Sequence, residues 1–182
     1  MLAEGKKEVN KKKHGFSTRI IAETIMFVAL ATVLSYIQLF RLPQGGSVTA
    51  ASMVPILWLA LRRGPRIGLF AAILYGVVQF ALEPYIFHPA QVLIDYPLAF
   101  GLLGVAGFFK RHFYIGVTLG IFGRFIAHFF SGIIFFSSYA PEGMNPAVYS
   151  IIYNGGYLLV ELVISIYIVY LLLKSDVLTI YL

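Results

Sequence analysis

The chain reads as an all-α integral membrane protein of six transmembrane helices with both termini in the cytoplasm. Three observations carry that expectation. Six long apolar runs follow one another with short connections, and hydrophobic residues make up 59% of the 182 while charged residues make up 12%. The mean hydropathy is +0.84. The Lys and Arg residues fall at alternate ends of the runs. A soluble domain carries about 25% charged residues, so much of this surface must face lipid.

The runs cover residues 20–40, 48–61, 67–82, 90–109, 113–136 and 148–173. Six crossings of about 20 residues nearly exhaust the length. A single membrane domain over 20–174 is therefore expected, between a basic tail (1–19) and a short tail (175–182). The first run follows basic residues but lacks a small-residue cleavage site, so it reads as a retained span, not a signal peptide. Lys6, Lys7, Lys11, Lys12, Lys13 and Arg19 precede it. Arg62, Arg63 and Arg66 follow the second run, Lys110 and Arg111 the fourth, and Lys174 the sixth. Six crossings put all of these on one side and leave Arg41 on the other; the positive-inside rule makes the basic side cytoplasmic. The net charge of +6 is thus a topology signal and not a nucleic-acid surface.

The second run would reach only about 21 Å as a helix, against a hydrocarbon core of about 30 Å. Pro55 lies inside it, and Pro43-Gln44-Gly45-Gly46-Ser47 before it has loop composition. Irregular backbone at membrane depth survives only when protein or a water-filled cavity covers it. Two readings stay open: a first outer loop that dips inward as a lid, or an ordinary loop followed by a short tilted helix.

Polar residues inside spans face a cavity or a partner. Asp95 lies inside the outer end of the fourth run, beside Tyr96 and Gln91; His128 lies in the outer half of the fifth; Tyr149 and Asn154 lie in the first turns of the sixth. Tyr85-Ile86-Phe87-His88 lines the same outer edge. Matching depth on three runs describes an outward-facing pocket. One carboxylate among Tyr and Phe rings suits a flat, weakly hydrated cation, with His128, Asn154 and Tyr149 supplying directional donors and acceptors. Each residue taken singly also has a structural reading: Asp95 as a loop-satisfying carboxylate, His128 as an interhelical hydrogen bond, Asn154 and Tyr149 as helix–helix contacts.

Arg124 and Glu161 sit at depths that agree within about one turn, and are expected to form a midplane ion pair joining the fifth and sixth runs, structural in preference to a proton relay. Glu23 and Glu83, near span ends, are expected to reach water. Ala31 and Ser35 show a small-xxx-small spacing, with Ala22 and Ala29 nearby, which would let a partner helix approach closely.

Other chemistry lacks its residues. There is no G-x-x-x-x-G-K-[ST] loop for ATP and no Ser in a nucleophile elbow. Cysteine is absent, and His14, His88, His112 and His128 are scattered without metal-ligand spacing. A ligand-binding membrane protein with no metal, no cofactor and no enzymatic activity fits best.

Several stretches together resemble the thiamine-specific, substrate-binding S-components of energy-coupling factor (ECF) vitamin transporters. They run from Phe40-Arg41-Leu42-Pro43-Gln44-Gly45-Gly46-Ser47-Val48-Thr49 through Ser52-Met53-Val54-Pro55 and Leu61-Arg62-Arg63-Gly64. His88-Pro89-Ala90-Gln91-Val92-Leu93-Ile94-Asp95-Tyr96-Pro97, Tyr139-Ala140-Pro141-Glu142-Gly143, and Tyr149 to Asn154-Gly155 follow in order. The resemblance implies a six-helix subunit that captures thiamine at its outer face. It also implies a lid that closes over the ligand and a partner module of one transmembrane coupling protein and two ATPases. It implies ligand contacts for Asp95, Tyr96, His128, Tyr149, Asn154, Tyr85 and Phe136, and docking of the coupling protein around Ala29, Ala31 and Ser35. Two positions depart from the family pattern: Asp95 is shorter than a Glu, and Phe136 stands in place of a stacking Trp. A further lid Trp is replaced near Gly46. The alternatives are an S-component for another vitamin or a precursor (riboflavin, hydroxymethylpyrimidine), a small intramembrane enzyme using Asp95 and His128, or a scaffold.

Overall fold

The computed structural model describes residues 17–175. The basic tail up to residue 16 and the segment 176–182, both expected to be cytoplasmic, lie outside the described residues.

Helix α1, Thr18–Ser35, begins where the Ser17 hydroxyl accepts from the Ile20 N–H at 3.4 Å, a cap for one of the otherwise unpaired first-turn donors. The first run was expected to continue to residue 40, but the helix stops at Ser35. The chain then forms β1, Gln38–Arg41, which pairs antiparallel with β2, Ser47–Thr49. Two adjacent left-handed residues, Gln44 at φ 63° and Gly45 at φ 92°, make the reversal between them. This hairpin replaces the first outer loop and gives the lid reading its structural form.

The second run is likewise shorter as a helix than expected. Helix α2 covers Val54–Arg63, ten residues and about 15 Å. Pro55 sits in its first turn, where a missing N–H removes no intrahelical bond. Val54 through Leu61 are all buried, so protein, not lipid, surrounds this helix. Hairpin and α2 together carry the chain back to its starting side. Arg63 donates from two nitrogens to the Glu23 carboxylate near the start of α1, and Lys110 Nζ donates to Arg62 O at 3.3 Å. The basic clusters therefore do share one end of the molecule. Glu23 does not snorkel alone but pairs with Arg63, with Arg19 at 3.4 Å and with Arg62 at 3.9 Å. Glu83, at the opposite end, pairs with Arg41 at 3.5 Å.

Among the described residues five helices are long and apolar enough to cross a membrane: α1, α3 (Pro65–Leu82), α4 (Pro89–Phe108), α5 (Phe113–Phe135) and α6 (Pro146–Lys174). Their outward faces carry large apolar side chains such as Met26, Val33, Ile134, Val163 and Tyr167, each more than half exposed. The core forms around α2, where Met53, Ile56, Leu57 and Leu59 meet Ala71 and Tyr75 of α3, Leu103 of α4 and Val117 and Ile121 of α5. The chain is thus a multi-pass helical membrane protein, with five long helices wrapped around one short buried one.

Helix α4 is not a uniform α-helix. Pro97 has no N–H to return to the preceding turn. The ladder slips there, and the Ala99 N–H reaches back five residues to Ile94 O, widening the turn over Ile94–Leu98. Asp95 and Tyr96 lie in that wide turn. Helix α3 approaches it through Gly76, where an added Cβ would stand 2.5 Å from Tyr96 O. Gly76→Ala is therefore expected to lower stability by about 1–3 kcal/mol, the range for overpacking a fixed contact. Thermal melting of the purified protein in detergent would measure it.

Candidate functional site

Asp95 sits at the end of a hydrogen-bond network built by two helices. Gln91, one turn earlier on α4, donates its amide to Oδ2 at 2.7 Å. Ser131 of α5 donates its hydroxyl to the same oxygen at 3.0 Å. His128 Nδ1 lies 2.9 Å from Oδ1. Arg124, one turn before His128 on α5, donates from Nε to His128 Nε2 at 3.2 Å. A guanidinium can only donate, so Nε2 must accept and the ring proton must sit on Nδ1, donating to Asp95. Three donors thus hold this one carboxylate in place. Both His128 nitrogens are thereby committed within the protein.

Arg124 does not meet Glu161. Its guanidinium carbon lies 4.0 Å from the centroid of the Phe100 ring, and Nη1 donates to Met53 Sδ at 3.0 Å. Glu161 Oε1 instead accepts from the Thr49 N–H at 2.6 Å and the Thr49 hydroxyl at 2.7 Å. The expected ion pair is thus corrected. Equal depth along two helices leaves their rotations free, and the two side chains point to different neighbours.

Above the network, Tyr96 ties down the loop between α3 and α4. Its hydroxyl donates to Glu83 O at 2.9 Å and accepts from the Tyr85 N–H at 2.8 Å. Gln91 extends the same bracing, accepting from the Phe87 N–H at 3.0 Å and donating to Tyr85 O at 3.2 Å. The loop is thereby held against an aromatic cluster at the outer end of α5. Phe136 stacks on Tyr139 at 5.9 Å and 17°, with Tyr85 and Phe87 at 5.9 and 5.5 Å. The Tyr85 hydroxyl meets that of Tyr139 at 3.0 Å, and this contact pushes the Tyr85 phenol up to about 12, so it stays neutral.

Helix α6 supplies the opposite wall. Tyr149, Tyr153 and Tyr157 recur every four residues, with successive rings 5.9 and 6.1 Å apart. Tyr153 holds the hairpin tip, its hydroxyl donating to Pro43 O and accepting from the Gly46 N–H at 3.0 Å. Asn154 donates to Ser150 O at 3.1 Å and to His128 O at 3.4 Å, which joins α6 to α5.

These groups enclose a cavity of about 170 Å³ lined by the hairpin tip from Gln44 to Ser47 and by α3–α6. All seven residues expected from the sequence to shape the pocket line it: Asp95, Tyr96, His128, Tyr149, Asn154, Tyr85 and Phe136. The sequence reading missed Arg124, Gln79, Tyr139, Tyr153 and Tyr157 as lining groups. The four-residue spacings Arg124–His128 and Tyr149–Tyr153–Tyr157 were visible signals of a shared helix face. Trp58 does not line the cavity.

The small-residue stripe on α1 is not one surface. Ala31 is fully buried, with its carbonyl 3.4 Å from the Tyr75 hydroxyl, and Ser35 accepts from Gln79 Nε2 at 3.0 Å. That face packs on α3 of the same chain, whereas Ala22 and Ala29 are exposed. A docking face containing Ala31 and Ser35 is thus corrected; they were grouped with Ala29 by small size, although a helix turns them to different sides.

A family model described as thiamine transporter protein matches residues 21–180. Thiamine transporter ThiT of Bacillus subtilis (strain 168) is 32% identical over 182 residues, covering 86% of this chain and 94% of that protein. Thiamine transporter ThiT of Lacticaseibacillus paracasei is 32% identical over 178 residues, covering 85% of this chain and 86% of that protein. The solved structure of ThiT from Listeria monocytogenes has a TM-score of 0.80 at 29% identity, covering 87% of this chain and 94% of that one.

Removing the Tyr96 hydroxyl tests the bracing of the loop. Tyr96→Phe is expected to speed hydrogen exchange at the Tyr85 amide and to lower stability by about 1 kcal/mol, the typical net worth of a hydrogen bond. Exchange in α6 should stay unchanged.

Proposed function

The chain belongs to the thiamine transporter protein family, and on that premise we propose that it is a thiamine-binding S-component of an ECF-type transporter in a bacterial cytoplasmic membrane. The observation that carries the reading is the Asp95 carboxyl group, held by three donors at one side of an aromatic-walled cavity. Thiamine has a permanent thiazolium cation and a hydrogen-bonding aminopyrimidine. Asp95 supplies the countercharge, and the rings of Tyr85, Phe136, Tyr139 and Tyr149 supply flat surfaces for stacking and cation–π attraction. Asn154 and the Tyr149 hydroxyl serve the polar edge of the pyrimidine.

Arg124 shapes the electrostatics of this site. A second cation within the pocket would oppose a cationic ligand if it stood free, but it bonds to the ring that bonds to Asp95. It thereby holds His128 neutral and orients it, so Asp95 stays available to the ligand. Phe136, smaller than Trp, is widened into a usable surface by its stacking on Tyr139.

Capture occurs from the outside, beneath the hairpin tip. As the resemblance to ECF S-components implies, a partner module of one coupling protein and two ATPases drives reorientation of the loaded subunit. The chain is a transporter component and not an enzyme; thiamine leaves it unchanged, and no cofactor of its own takes part. Neutral riboflavin or a pyrimidine precursor without the thiazolium would gain nothing from Asp95.

Calorimetric titration of the purified protein tests the reading. Thiamine is expected to bind one to one and to be recovered intact, more tightly than riboflavin or hydroxymethylpyrimidine. Asp95→Asn is expected to weaken thiamine binding by about 10–100-fold, the worth of a charge-assisted contact, with a far smaller change in melting temperature. Native-like affinity in that variant would remove Asp95 from the site.

A further inference from the structure

Glu161 is the buried carboxylate that ligand binding leaves unused. It is 3% exposed and does not line the cavity. A carboxylate in the interior of a membrane protein marks a function or a required partner. Its partner is Thr49, the last residue of β2, which gives it both its N–H (2.6 Å) and its hydroxyl (2.7 Å). The other oxygen, Oε2, has no hydrogen-bond partner among the described residues, so at this depth the Glu161 side chain holds the hairpin through Thr49.

Beyond Thr49 the chain turns sharply. Ala51 adopts φ +64°, the left-handed region that a residue with a Cβ rarely enters. The Ser52 N–H donates back to the Thr49 hydroxyl at 3.2 Å, closing the turn into α2. The hairpin is thus held to α6 at two levels about 12 Å apart along the helix. At the outer level Tyr153, a neutral phenol, holds the tip through Pro43 and Gly46. At the inner level an acidic side chain takes two buried donors from one residue, whereas the Tyr153 contacts lie where water can replace them.

We propose that Glu161 is a positioning residue for ligand retention. It fixes the inner end of the hairpin, so residues 44–47 open over the cavity only as a flap that swings about its fixed end at Thr49. Release of the more exposed Tyr153 contact opens the flap, while the buried Glu161–Thr49 contact keeps it in register to close again. The inference rests on the thiamine-binding reading for its role, but not for its geometry.

The test compares the full-length wild type with Glu161→Leu, Glu161→Gln and Thr49→Val, by hydrogen exchange and by dissociation of labelled thiamine. In Glu161→Leu the amides of 38–49 are expected to exchange faster while those of α3 and α5 do not. Thiamine should leave about tenfold faster, as for loss of the two hydrogen bonds from Thr49, with association little changed. Glu161→Gln keeps an oxygen acceptor and should restore most of the wild-type rate. Thr49→Val keeps the N–H bond to Glu161 but loses the hydroxyl with its bonds to Glu161 and Ser52; it should give an intermediate rate, which covers the case that Glu161→Leu fails to fold. A folded Glu161→Leu (or, failing that, Thr49→Val) that releases thiamine at the wild-type rate, or that exchanges faster throughout, overturns the proposal. If the wild type binds no thiamine, the functional reading fails. Exchange at 38–49 then still decides whether Glu161 anchors the hairpin.

Discussion

The structure depends on one constraint of the bilayer: backbone polar groups that leave the helix must be covered by protein and paired. Residues 36–53 leave it, and the arrangement of the other elements follows from covering them. The hairpin pairs its own strands, α6 caps it from the side through Tyr153 and Glu161, and α2 beneath it is buried on all faces. Five long helices can then present apolar side chains to lipid while a short, irregular passage runs through their centre. The same irregular passage gives the molecule a loop over its outer cavity.

The cavity obeys the related rule for charge. Asp95 and Arg124 both lie within the membrane domain, and each would be costly alone. They are joined through one neutral imidazole, whose proton position is dictated because Arg124 can only donate. The result is a site with a fixed carboxylate, a fixed cation held away from it, and no mobile proton between them. Such an arrangement suits binding a preformed cation, in which the protein must supply charge and shape but no proton transfer.

Tight helix contacts deliver these groups to one place. The wide turn forced by Pro97 aims Asp95 at α5 and frees Tyr96 to brace the loop between α3 and α4. Gly76 lets α3 press against that turn without displacing it. The pocket is thus built from a defect in α4 that its neighbours are shaped to accept, and wide turns of this kind commonly serve functional sites.

Much of this was legible in the amino-acid order. Composition determined a multi-pass helical protein, and the alternation of Lys and Arg placed the basic clusters at one end of it, because lipid and surface charge act on each segment separately. The depth of Asp95, His128, Tyr149 and Asn154 determined an outer pocket, because depth is a count of residues from a span end. What the order of residues left open was rotation and pairing between segments. Arg124 and Glu161 share a depth yet point to His128 and Thr49; Ala31 and Ser35 share small size with Ala29 yet turn inward to α3. The hairpin was read as the end of one span and the start of another, since Phe40 and Val48 are as apolar as any helix residue. Only tertiary structure decided these points, because the direction a side chain faces depends on which neighbours the whole bundle brings within a few ångströms.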